Sequence, residues 1–226
     1  MKKFVLLTSI LVFSGLLTGC GGGGAPALPD ISSLSIDDWD VYGTAAAEDD
    51  ILIVGDSLGN DPYDSDEDNN TWNKLADGSL QYDYDVIVSK NVWSLPITLA
   101  FQGTLRKSAY GYNDIGLALK SDHFTGRASE GTPVEFKAFF SLNWNETDHL
   151  QVYVPDRGYQ TTAVSISDDL TGNYKIVWDG TTVTFYFNDD PIGEYALSGD
   201  ADGDYTVFIK SYDQPLDITS LSVTTE

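Results

Sequence analysis

Residues 173–188 read NYKIVWDGTTVTFYFN. Two runs of β-branched and aromatic residues flank Asp179-Gly180. Such a dipeptide between such runs predicts a hairpin closed by a type I′ turn, which needs positive φ at both central residues. Successive side chains of a strand point to opposite faces. Tyr174, Ile176 and Trp178 therefore share a face of the first strand. On the second, Val183, Phe185 and Phe187 oppose Thr182, Thr184 and Tyr186. A two-stranded unit is marginal alone, so this aromatic face must be covered by another sheet.

The same rhythm runs outward from the hairpin. In residues 80–88, Tyr82, Tyr84, Val86 and Val88 alternate with polar neighbours that include Asp83 and Asp85. Residues 95–101 form another strand, with Pro96 marking an edge or a strand start. Residues 112–119 place Ile115, Leu117 and Leu119 on one face. Residues 134–140 set Val134, Phe136, Ala138 and Phe140 against Glu135, Lys137 and Phe139. Residues 149–154 set Leu150, Val152 and Val154 against His149, Gln151 and Tyr153. With the stretches 31–40, 50–54, 161–166, 191–197, 205–210 and 216–224, the count reaches about a dozen short strands separated by turn residues. No amphipathic helix interrupts them, which is the pattern of a sandwich or barrel.

The segment YKIVWDGTTVTFYFNDDPIGEY, residues 174–195, resembles the recurrent hairpin of the concanavalin A-like lectin and glucanase superfamily. The closing LDITSLSV, residues 216–223, resembles that superfamily's last strand, which returns beside an N-terminal one. The resemblance implies an all-β fold, a two-sheet antiparallel β-sandwich of jelly-roll type. It does not imply one activity, because the superfamily spans lectins, glycoside hydrolases, polysaccharide lyases and adhesive modules.

The chain begins MKKFVLLTSILVFSGLLTGC. Lys2 and Lys3 precede an apolar run, residues 4–17, that is shorter than the ~20 residues of a membrane span. Leu17-Thr18-Gly19-Cys20 resembles the lipobox of bacterial lipoproteins, and Cys20 is the only cysteine. That resemblance implies cleavage after residue 19 and diacylation of Cys20, with no disulfide. Gly21 to Gly24 and the Ala/Pro-rich residues after them read as a tether. Two acyl chains anchor stably. Gly21, in place of Asp, resembles the outer-membrane sorting pattern. The expected division is residues 1–19 as signal peptide, 20–30 as lipidated cysteine and tether, and 31–226 as the β-sandwich, held at the outer membrane or cell surface.

Formal charge is −23, and loss of Lys2 and Lys3 with the leader takes it to −25. A field of this sign excludes nucleic acid and a polybasic membrane patch as partners. Aromatics make up 12% of the residues, so the acidity does not signal a disordered chain.

Three groups of residues bear on chemistry. In the polar stretch 56–78, Asp64, Asp66, Asp68 and Asn70 alternate as oxygen donors for calcium. Asn69 and Leu75 stand where an EF-hand needs Gly and Glu, so the loop is either a different calcium site or a solvated acidic turn. A second cluster, Asp200, Asp202 and Asp204, reads as a turn with Gly203 supplying positive φ.

The second group is the polar side of strands 134–140 and 149–154. If the strands pair, Glu135, Lys137, Phe139, His149, Gln151 and Tyr153 share a surface, with Trp144 in the connecting loop. Aromatic faces that stack on sugar C–H groups and planar polar groups that bond hydroxyls would make this a glycan-binding surface. The alternative is an ordinary solvated sheet face. Tyr110 and Tyr112 would add a loop contact.

The third group concerns catalysis. Glycosidases need paired carboxylates. The Glu-x-Asp-x-Glu strand of the laminarinase-like branch is absent, and Glu130 and Glu135 fall on opposite faces of one strand. The Gln-x-His and Tyr-x-Lys strands of the alginate-lyase branch are absent too. His149-Leu150-Gln151 is reversed, and Phe136 replaces the tyrosine before Lys137. Gly55-Asp56-Ser57-Leu58 resembles the start of GDSL esterases, but that family's helices and late Asp-x-x-His are missing. The sequence therefore leans to a binding module rather than an enzyme. A divergent hydrolase or lyase and a protein-interaction subunit are the alternatives.

Overall fold

The computed structural model describes residues 34–42, 45–55, 72–74, 80–82, 85–106, 112–120, 134–143, 148–198, 203–212 and 215–225. The Cys20 lipobox, the Asp64–Asn70 loop and Trp144 lie outside these. Among the described residues the one helical element is a 3-10 turn, Ile36–Asp38, capped by the Ser35 side chain. Everything else regular is strand. The strands are β1 (Trp39–Tyr42), β2 (Ala45–Glu48), β3 (Ile51–Val54), β4 (Trp72–Lys74), β5 (Leu80–Tyr82), β6 (Asp85–Ser89), β7 (Trp93–Ser94), β8 (Ile97–Leu105) and β9 (Tyr112–Lys120). They continue with β10 (Val134–Asn143), β11 (His149–Val154), β12 (Gly158–Ser165), β13 (Leu170–Trp178), β14 (Thr182–Phe187), β15 (Asp190–Ala196), β16 (Asp204–Tyr212) and β17 (Leu216–Thr225).

Two antiparallel sheets form a jelly-roll sandwich. One has eight strands in the order β1-β6-β16-β9-β10-β11-β12, with β7 also paired to β16. The other has seven, β15-β14-β13-β8-β17-β3-β2, while β4 and β5 make a separate pair. The last strand lies between β8 and β3, as the resemblance implied.

The hairpin of residues 173–188 supplies much of the core. Tyr174, Ile176, Trp178, Val183 and Phe185 are all buried, as alternation requires. Phe140 of the eight-stranded sheet meets three rings of the other sheet: Tyr174 at 5.2 Å, Phe185 at 5.3 Å and Phe101 at 5.8 Å between centroids. Trp178 and Tyr205 make a further cross-sheet pair at 4.7 Å. Offset and edge-on pairs of this kind add to the gain from burying the rings.

The turn of this hairpin departs from type I′. Gly180 has φ of 102°, but Asp179 keeps negative φ. The Asp179 carboxylate instead accepts from the Thr181 amide at 2.8 Å, the Thr181 hydroxyl at 2.9 Å and the Thr182 amide at 2.7 Å. A side-chain acceptor thus organises a three-residue loop, the Asx strategy. Positive φ at both central residues occurs one hairpin later, at Asn188 and Asp189 between β14 and β15. Pro96 marks a strand start, since it precedes β8, an interior strand.

A second departure concerns β10. Val134 and Phe136 do not share a face with Ala138 and Phe140. The register with β9 shifts between Phe136 and Ala138, so Lys137 is an extra residue. A bulge of one residue reverses the facing of everything on one side of it. Ala138 and Phe140 belong to the main core, whereas Val134 and Phe136 belong to a smaller cluster on the other side of the sheet, with Phe139 and Phe208.

Candidate functional site

Residues paired across adjacent strands point the same way, so the register defines rows across the outer face of the eight-stranded sheet. One row runs Lys210 (β16), Asp114 (β9), Ser141 (β10), Gln151 (β11) and Thr161 (β12). The next runs Phe208, Gly116, Phe139, Tyr153 and Tyr159 on the same strands. A polar row lies beside an aromatic one.

The polar row is anchored by a buried aspartate. Asp114 is 4% exposed, and the Ser141 hydroxyl donates to its Oδ1 at 2.5 Å. Burial pushes its carboxyl up to about 6, although Lys210 and the Ser141 hydrogen bond both pull it down. Burial also lowers Lys210, and Asp114 opposes that shift. For both groups desolvation outweighs mutual attraction. The Lys210 ammonium lies 4.5 Å from the Tyr112 ring centroid and 5.2 Å from that of Phe136, within cation–π range.

The aromatic row is continuous. Phe139 stacks on Tyr153 at 4.8 Å with planes 9° apart, and Tyr153 meets Tyr159 edge-on at 5.3 Å. Phe136 joins from the next row, 4.6 Å from Phe208 and 5.9 Å from Phe139. Gly116 makes this packing possible. A Cβ there would sit 2.2 Å from the Ala138 carbonyl oxygen and 2.4 Å from Phe139 Cβ. Phe139 and Phe208 are buried, Tyr153 is half-buried and Tyr159 is 49% exposed. The row therefore rises from a buried base to an exposed lip, where Thr161 is also exposed. Burial, with the charge of Asp114 and then Tyr153, raises the Tyr159 phenol to about 12. The hydroxyl at the lip is thus neutral and both donates and accepts.

The sequence-derived residues divide. Phe139, Gln151 and Tyr153 lie in these rows, and alternation with Gln151 puts His149 on the same face, its Nε2 3.3 Å from the Ser165 hydroxyl. Phe139 is only 2% exposed, so it supports the neighbouring rings rather than offering its own face. Glu135 and Lys137 do not join them. Glu135 pairs in register with Leu119, opposite to Val134 and Phe136, and Lys137 is the bulge residue. The two form an ion pair with each other. Asp114, Ser141, Lys210, Phe208 and Tyr159 were not foreseen. Two of them left a trace: an aspartate inside the apolar run of β9, and a lysine after VFI in β16, are both rarely buried.

The carboxylates on this face are far apart. Asp40 shares it, but β1 is three strands from β9, about 14 Å at normal strand spacing. Asp204 lies six residues from Lys210 along β16, about 20 Å away. Glycosidase pairs stand roughly 5–9.5 Å apart. Neither of these two therefore stands at glycosidase distance from Asp114. Nor does any group of three or more His, Cys, Asp or Glu among the described residues form a metal site.

No protein-family model matches the chain, and no curated protein is similar to it in sequence. Its fold is shared widely among solved structures. The Emp47p carbohydrate recognition domain aligns over 90% of this chain and 99% of its own, at TM-score 0.55 and 8% identity. The laminarinase catalytic domain of Thermotoga maritima aligns over 88% and 98%, at 0.55 and 10%. A protein of unknown function with a galectin-like fold from Bacillus subtilis aligns over 89% and 96%, at 0.55 and 12%. At these identities the likeness is one of fold.

Proposed function

We propose that this jelly roll is a surface-anchored module that binds glycan on the outer face of its eight-stranded sheet without cleaving it. The observation that carries the reading is the pair of adjacent rows, one polar and one aromatic, that meet at the exposed Tyr159–Thr161 lip. Recognition of a sugar needs both a ring for its C–H face and fixed polar groups for its hydroxyls. Tyr153 and Tyr159 supply the rings and Thr161 the exposed polar group, with the buried Gln151 beside it in the row. The carbohydrate-recognition and laminarinase folds named above support the same substrate class. The wide carboxylate spacing favours retention over hydrolysis.

A glycan array probed with the full-length chain tests the reading. Binding to one or more glycans is expected, and Tyr153→Ala and Tyr159→Ala should each weaken it about tenfold with the fold intact. An array with no binding would overturn it. Release of reducing ends from a bound glycan would instead establish a hydrolase.

The anchor and the calcium loop complete the proposal. Cys20 carries the lipid at the outer membrane, and Cys20→Ser should release the chain from the membrane fraction. Asp64, Asp66, Asp68 and Asn70 bind calcium, and chelation should then lower the melting temperature.

A further inference from the structure

We propose that the Tyr159–Thr161 lip recognises one sugar residue at a time, so that affinity is set by that residue and not by the length of the glycan. The inference rests on the glycan reading and names the unit that the site takes.

The lip is bounded on every side. Toward the middle of the sheet both rows are covered. Gln151, beside Thr161, is 6% exposed, and Ser141, Asp114, Phe139, Gly116 and Phe208 are buried too. A glycan laid across the strands would pass the half-buried Tyr153 and then meet no accessible side chain of either row before Lys210. That residue stands four strands from β12, about 19 Å at normal strand spacing. Its ammonium already lies against the rings of Tyr112 and Phe136. On the opposite side the sheet ends, because β12 is its edge strand.

The lip is also short along β12. The strand starts at Gly158, straight after a turn in which Asp156 and Gly158 both have positive φ. Past Thr161 the register breaks: the step from Gln151 to His149 on β11 matches the longer step from Thr161 to Ser165 on β12. The side chain of Thr162 turns inward there, donating to the Leu150 carbonyl at 2.7 Å and accepting from the Val164 amide at 3.2 Å. An irregularity of this kind bends a strand and re-aims the side chains beyond it. What remains is Tyr159 and Thr161, two residues apart on one face, a span of about 7 Å.

Within that span the rings form a corner. Tyr153 and Tyr159 are 5.3 Å apart with planes at 79°, so one ring offers its face and the other its edge. One sugar ring fills such a corner and leaves a hydroxyl for Thr161. The Gln160 side chain donates to the carbonyls of Arg157 and Tyr159, which takes acceptors at the start of the edge strand away from a pairing peptide. Firm hold on a polysaccharide then comes from many copies on one surface rather than from many subsites on one copy.

The test is titration calorimetry of the full-length chain. The probes are the methyl glycosides of glucose, galactose, mannose and N-acetylglucosamine, each beside its linear di-, tetra- and hexasaccharide. At least one series is expected to bind, with Kd changing by no more than about tenfold from monomer to hexamer. Thr161→Ala should weaken monomer and hexamer by the same factor, about fivefold. Thr161→Ser, which keeps the hydroxyl, should bind as the wild type does.

An affinity that climbs more than about tenfold with length overturns the inference and leaves glycan binding standing. So does a Thr161→Ala loss that differs between monomer and hexamer, or binding on the glycan array with none to any of these probes. An array with no binding at all removes the underlying reading, and this inference with it.

Discussion

Asp114 is the residue where burial and charge conflict most openly. Its carboxyl titrates near 6 in the folded chain against about 3.9 when unfolded. Between these values the unfolded chain has released a proton that the folded chain still holds. Stability from this group is therefore present at low pH and is lost as pH rises from about 4 to 6. Urea unfolding at steps across that range should show a decline in the wild type that Asp114→Asn lacks. Gly116 makes a second residue-scale case. Its missing Cβ admits the Ala138 carbonyl and Phe139. Gly116→Ala should cost about 1–3 kcal/mol or more by overpacking, read as a fall in the denaturation midpoint.

At the scale of elements, two hairpin turns and the β10 bulge are among the features that set the registers. Asp179 holds its loop by accepting from two amides and a hydroxyl, which also keeps its carboxyl below the usual range. Asp179→Ala should lower stability by about 1 kcal/mol, and the loss should vanish in acid as the wild-type carboxylate protonates. Lys137 matters by its presence more than by its side chain. Lys137→Ala should be tolerated, whereas deleting residue 137 would turn Val134 and Phe136 into the main core and collapse the near-UV circular dichroism.

These elements show what could be read beforehand. The hairpin faces were legible because Thr182, Thr184 and Tyr186 alternate with Val183 and Phe185, so one side is visibly wetter. The bulge was hidden because Val134, Phe136, Ala138 and Phe140 are all apolar. Both sides of that strand carry buried apolar residues, and a change of face leaves no break in the apolar pattern. Asp114 was hidden for a different reason. Alternation placed residues 112–119 in a strand with Ile115, Leu117 and Leu119 toward the core, as found, and a carboxylate on the opposite face of such a strand reads as solvated rather than buried. Partnership across strands, such as Lys210 opposite Asp114, lies nearly one hundred residues apart in sequence and emerges only with the topology.

At the scale of the molecule, Phe140 joins the two layers through three rings of the opposite sheet. Phe140→Ala should cost about 3–5 kcal/mol, measured by chemical denaturation. A chain ending before Leu216 should not fold at all, as judged by loss of cooperative melting, because β8 and β3 would lose the strand between them.

The position of the last two strands has a consequence for biogenesis. β16 sits between β6 and β9 in one layer, and β17 between β8 and β3 in the other. Until β16 and β17 have been made, both layers are open in the middle: the β1–β6 pair is cut off from β9, and the β2–β3 pair from β8. The two sheets can close only after both of these strands have been made, so closure comes late in the synthesis of the domain.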